Sequence, residues 1–83
     1  MKANDKQVLV ELAKRYYEGE DIERITHKDL GMDLDKFNDA LENLIQKGYL
    51  PNGTVARGPK GRDIYFSGKE LSDEAKEIVA DYL

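Results

Sequence analysis

The sequence predicts a small α+β domain in which helices surround one core and a single β-hairpin lies toward the C-terminal end. Three observations predict it. Apolar residues recur at helical spacing in three separate stretches. Between the second and third stretches that spacing is lost, and strand-forming residues flank the turn signal Gly58-Pro59-Lys60-Gly61. Finally, 83 residues suffice for one hydrophobic core but not two, with a radius of gyration of about 12 Å expected for a compact chain of that length.

The first stretch is Val8, Leu9, Leu12, Ala13 and Tyr16, opened by Asn4 with Gln7 three residues later in the manner of a capping box and ended by Gly19. Adding Val10 and Tyr17 widens its apolar arc to roughly 200°, at about 100° per residue. That is broader than one core-facing stripe requires, so both flanks need cover. Ile22 and Ile25, in a short charged segment, predict one brief strand. Thr26 follows as an N-cap with Asp29 three residues on, so Thr26 to Leu30 reads as a one-turn helix closed by Gly31.

Asp33 caps the next helix, whose stripe of Phe37, Ala40, Leu41, Leu44 and Ile45 runs to Gly48 at the C′ position. Pro51, Asn52 and Gly53 then break the helix. Thr54-Val55-Ala56-Arg57 has strand character, the following turn carries Pro second and Gly fourth as a type I turn prefers, and Arg62 to Phe66 is the return strand. Ser72 caps a last helix with Asp73 and Glu74 in its first turn and Leu71, Ala75, Ile78, Val79 and Tyr82 as its apolar stripe. The order is helix, short strand, short helix, recognition-type helix, β-hairpin wing, C-terminal helix, which is a winged helix-turn-helix filling residues 1–83 as a single domain.

The segment Lys28-Asp29-Leu30-Gly31-Met32 leading into Phe37-Asn38-Asp39-Ala40, and the helix end Gly48-Tyr49-Leu50, resemble the YjcQ-like family of small winged-helix proteins from Gram-positive bacteria and their phages. Ile64-Tyr65-Phe66 and Glu70-Leu71-Ser72 are similar to that family's hairpin exit and last-helix start. Ala75 departs from winged-helix regulators with a similar Leu-Ser/Thr start, which often carry Gly there. The resemblance implies a bacterial or prophage source and a role in DNA binding or transcription regulation, without a defined activity to carry over.

Composition restricts the function. The chain lacks cysteine, as suits a reducing compartment, and no apolar run nears the roughly 20 residues that span a bilayer. With no signal-peptide apolar stretch after Met1, a cytoplasmic protein without a membrane partner is expected. Net charge is −4, unevenly spread. The hairpin region carries Arg57, Lys60 and Arg62 against Asp63, whereas Asp33, Asp35, Asp39 and Glu42 outnumber Lys36 and Lys47 on the preceding helix. His27 is the sole histidine, so a multi-histidine metal site or a Ser-His-Asp arrangement cannot form within one chain.

Two motif fragments fail on inspection. Gly53 and Gly58 have phosphate-loop spacing, but Pro59-Lys60-Gly61 follows where Lys-Ser/Thr is required. Asp33 and Asp35 begin like a calcium loop, yet Phe37 takes the third ligand position and Asn38 the glycine position. No catalytic residues, metal, cofactor or small-molecule substrate are therefore predicted.

The candidate nucleic-acid contacts are Lys36, Asn43 and Lys47, which share one line of the recognition-type helix at i, i+7 and i+11, together with Arg57, Lys60 and Arg62 of the wing. An ordinary solvated helix face and a charged hairpin tip that blunts its edges are the plain alternatives. Tyr16, Tyr17, Tyr82 and Leu83 suit either a homodimer interface or intramolecular packing. Two functions fit these residues. One is a small DNA-binding accessory or regulator acting as a dimer on double-stranded DNA. The other is a winged-helix protein interaction module whose acidic helices meet a basic protein partner.

Overall fold

In the computed structural model, which describes residues 1–83, helix α1 runs from Ala3 to Tyr17 and buries Val8, Leu9, Leu12 and Ala13. Its expected Asn4–Gln7 capping box is absent. The helix starts one residue before Asn4, Lys2 stands at the N-cap without a side-chain bond, and Asn4 is thus already in helical geometry, where it cannot cap. Gln7 instead donates from Nε2 across to the Leu30 carbonyl at 3.3 Å, joining α1 to the next segment.

The brief strand expected at Ile22–Ile25 is a 3-10 turn, Ile22–Arg24, opened by Asp21, whose side chain accepts from the Glu23 N–H. The two isoleucines, three apart, fall on one side of such a turn and are both buried. Strand alternation would have put one of them in water. A backbone bond from the Ile22 N–H to the Gly68 carbonyl, 2.9 Å, holds the turn against a distant part of the chain. Gly68 permits this approach because a Cβ there would run into the Asp21 carboxylate.

Thr26 caps a second 3-10 turn, His27–Leu30, and the capping box with Asp29 is complete in both directions. Helix α2 spans Leu34–Gln46 with Asp33 as its cap, accepting from the Asp35 N–H at 2.9 Å. It buries Phe37, Ala40, Leu41 and Leu44. Gly48 ends it at φ +78°, a backbone state costly for any residue with a Cβ, while the Tyr49 N–H reaches back to the Leu44 carbonyl.

Strands β1 (Thr54–Gly58) and β2 (Gly61–Tyr65) form a two-stranded antiparallel sheet joined by Pro59-Lys60. The return strand stops one residue short of Phe66, whose ring enters the core. Ser72 accepts from the Ala75 N–H at 3.1 Å and opens helix α3, Asp73–Val79, which continues as a 3-10 turn to Tyr82.

The fold is thus α+β, with three α-helices and one hairpin around a single cluster of 15 buried apolar residues. Fully buried Leu9, Leu12 and Leu44 each stabilise it by about 1.5–3 kcal/mol relative to exposure. The radius of gyration is 11.9 Å. No helix is long and apolar enough to cross a membrane.

Candidate functional site

Strand pairing sets the electrostatics of the hairpin. Arg57 and Arg62 are direct cross-strand partners, an arrangement of like charges that by itself destabilises a sheet. Glu42, from α2, lies between them. One carboxylate oxygen pairs with Arg57 Nη2 and the other with Arg62 Nη1, the latter at 2.7 Å. Asp39, one turn earlier, takes Arg62 Nη2 at 2.5 Å, and the Asp35 carbonyl accepts from the same nitrogen at 3.1 Å.

The two carboxylates therefore neutralise the two guanidiniums. Arg62 and Glu42 are largely enclosed, with side chains 17% and 12% exposed, so their bonds are screened less than those of a surface pair. The hydrogen bond to Asp39, then the bonds to Glu42, raise the Arg62 pKa above its ordinary value against the opposing effect of burial. Asp39 and Glu42, one turn apart on α2, set their carboxylates against the hairpin, with the Asp35 backbone carbonyl one turn before them.

This geometry separates the six residues expected to meet nucleic acid. Arg57, Lys60 and Arg62 do share the hairpin, but both arginines are engaged by α2. Lys36, Lys47 and Lys60 are exposed and take part in no ion pair. Asn43 does not complete an outward line with the two lysines of α2. Its Nδ2 donates to both carboxylate oxygens of Asp5, at 3.3 Å each.

Asp5 is 2% exposed and is the one charged side chain in the interior. An enclosed carboxylate without a partner is costly, so the amide of Asn43 is needed where it is. No sequence motif includes Asp5. Its position in the first turn of α1, three residues before Val8 on the core face, is the signal that was present.

His27 is partly enclosed. The ring is half-buried, with Nδ1 2.9 Å from the Met32 carbonyl, so that nitrogen carries the proton and donates. Beside it, Asp29 accepts from the Thr26 N–H and meets Arg15 Nη2 at 3.2 Å. The backbone bond from Thr26 holds the Asp29 carboxyl below its ordinary value of 3.8 against the opposing effect of burial, with the hydroxyl of Thr26 and the charge of Arg15 adding to the lowering. Arg15 also binds Glu11 through Nε at 3.4 Å. No set of three His, Cys, Asp or Glu side chains is arranged to hold a metal ion.

The tyrosines divide. Tyr16 packs against the core, with its neighbour Tyr17 edge-on at 5.2 Å between centroids and the Lys76 ammonium 5.0 Å from its ring. Tyr17, Tyr82 and Leu83 remain more than half or about half exposed at one end of α1. Comparison with family models, with curated proteins and with solved structures finds no match to this chain.

Proposed function

We propose that the chain is a winged-helix domain used to recognise another protein rather than to read duplex DNA. The element order supports the winged-helix assignment, with the capped 3-10 turn, Gly31-Met32, α2 and the hairpin following one another directly. The single observation that carries the functional reading is the closure of the hairpin arginines by Glu42 and Asp39. A DNA-reading wing presents its cations to phosphate and its recognition helix to base edges. Here the same helix supplies carboxylates to those cations, so phosphate would have to displace an internal counterion and approach Asp35, Asp39 and Glu42.

What remains for DNA free of any ion pair is Lys36, Lys47 and Lys60, and Arg57, 65% exposed, is held only by a surface pair. Three phosphate contacts give a salt slope of about −2.7, the signature of weak, non-specific association. Fluorescence-anisotropy titration with short random-sequence duplex DNA, at low and at near-physiological salt, tests the assignment. The native chain is expected to bind only weakly at low salt and not at near-physiological salt. The double variant Asp39→Asn/Glu42→Gln, which releases both arginines, is expected to gain salt-sensitive binding. Binding by the native chain that persists at near-physiological salt and is lost in Lys36→Glu/Lys47→Glu/Lys60→Glu overturns the proposal in favour of a DNA-binding accessory protein.

A further inference from the structure

The turn between α2 and β1 places demands on two neighbouring residues. Asn52 stands at φ +60°, the one residue other than glycine with positive φ, a conformation that asparagine tolerates better than most side chains do. Gly53 lies against the α2 side chain Ile45, whose Cγ1 would be 2.5 Å from a Cβ at that position, so no side chain fits there. The fold therefore puts an Asn-Gly pair at a corner where Asn52 is exposed. The Asn52 carboxamide donates from Nδ2 to Glu70 Oε2 at 2.8 Å. Together with the bond from the Ser72 N–H to the Tyr49 carbonyl, 3.1 Å, it ties this corner to the segment that opens α3.

An asparagine amide can be lost to the backbone nitrogen that follows it. That nitrogen gives its proton to solvent hydroxide and attacks Cγ. The new N–Cγ bond closes a cyclic succinimide, the Cγ–Nδ2 bond breaks, and the amide leaves as ammonia with a proton from water. Another water molecule then opens the ring, either at Cγ to leave aspartate or at the main-chain carbonyl to leave isoaspartate, in which the backbone runs through the side-chain carbon. Gly53 suits this attack, since its N–H makes no backbone hydrogen bond and no side chain shields it. The other asparagines are worse placed. Asn38 and Asn43 lie inside α2, where the next N–H is bonded along the helix, and Asn4 precedes Asp5, whose side chain crowds the approach. What restrains Asn52 is Glu70. In the left-handed region the following nitrogen points away from Cβ, so the chain must turn about the Cα–C bond before Gly53 can reach Cγ. The bond to Glu70 holds the carboxamide back from that turn.

We propose that Asn52-Gly53 is a self-modification site, a deamidating pair restrained by Glu70, and that its products loosen the joint between α2, the hairpin and α3. Either product sets a carboxylate where an amide donated, so the contact with Glu70 turns from a hydrogen bond into a like-charge pair. The isoaspartate also lengthens the link between α2 and β1, which seats the hairpin arginines on Glu42 and Asp39. The site operates whichever partner the domain recognises.

The test is incubation of the full chain at mildly alkaline pH and physiological temperature, with peptide mass spectrometry to follow the exchange of amide for acid and enzymatic methylation to count isoaspartate. The expected result is modification at Asn52 ahead of Asn4, Asn38 and Asn43, with isoaspartate among the products. Glu70→Ala is expected to raise the rate about two- to tenfold, the equilibrium factor of one hydrogen bond. Glu74→Ala, on an exposed acid outside every ion pair, is expected to keep the native rate. Asn52→Asp, a copy of one product, is expected to lower Tm by about 2–4 °C at low salt and by less at high salt. No modification at Asn52, or equal modification of all four asparagines, overturns the site. An unchanged rate in Glu70→Ala, or an equal rise in Glu74→Ala, overturns the restraint by Glu70. A Tm of Asn52→Asp equal to that of the native chain overturns the loosening of the joint.

Discussion

Replacing Glu42 by Gln removes the negative charge between two arginines while keeping the shape of the side chain. Its cost can be worked from the two bonds lost. The arm to Arg57 ends on a guanidinium 65% exposed, where a pair contributes about 0–1 kcal/mol. The arm to Arg62 joins side chains 17% and 12% exposed, and a charge-assisted bond in such surroundings contributes about 1.5–3 kcal/mol. Asp39 stays in place to hold Arg62, which limits the loss, whereas the uncompensated Arg57–Arg62 cross-strand pair adds to it. The sum is about 2 kcal/mol.

For a domain of this size, 1 kcal/mol shifts Tm by about 4–8 °C, so a fall of about 10 °C is expected in thermal unfolding followed by circular dichroism at 222 nm. A double-mutant cycle of Glu42→Gln with Arg62→Met should return a coupling energy of about 1–2 kcal/mol. The control is Glu74→Gln, on an exposed acid outside every ion pair, with an effect within about 0.5 kcal/mol. If Glu42→Gln behaves like that control, the hairpin is not pinned by α2 and its arginines are not withheld from phosphate.

Two further outcomes follow from the same electrostatics. Asn43→Leu strands the Asp5 carboxylate in the interior and is expected to cost about 2–3 kcal/mol, in urea unfolding at neutral pH, whereas Asp5→Asn/Asn43→Leu should recover part of the loss. At Asp29, whose folded-state pKa lies below the unfolded value of 3.8, the stabilising contribution is complete above that value and is lost as pH falls through the lowered one. The stability difference between the native chain and Asp29→Asn should therefore shrink as urea unfolding is repeated below pH 3.8, and a gap that stays constant down to acid removes Asp29 from the account.

Local rules made some elements legible and left others hidden. Helix α2 could be placed to within a residue because its stripe, the Asp33 cap and Gly48 agree. The hairpin was equally plain from Pro59-Lys60 between strand-forming runs. Ile22 and Ile25 were misassigned as a strand because an i, i+3 apolar pair in a short charged segment satisfies several local conformations. The choice is made by Gly68, far along the chain. The same limitation applies to the site. Lys36, Lys47 and Lys60 are exposed as their positions suggested, yet the fate of Arg57, Arg62 and Asn43 depends on carboxylates 15 to 38 residues away in sequence. The acids of α2 were visible, but only the packing of hairpin on helix turned Asp39 and Glu42 into counterions of the arginines.

The bond between the Ile22 N–H and the Gly68 carbonyl has a consequence for how the domain opens. It joins the segment just after α1 to the segment just before α3, so it exists only when the C-terminal third is docked. Helices α1 and α2 share the interior through Val8, Leu9, Leu41 and Leu44 and can stay packed while that third swings free. In such an opening the Ile22 amide becomes exchangeable with solvent hydrogen while the mid-helix amides of α1 stay protected. Exchange at Ile22 that outpaces exchange at the mid-helix amides of α1 thus distinguishes detachment of the hairpin and α3 from unfolding of the whole chain.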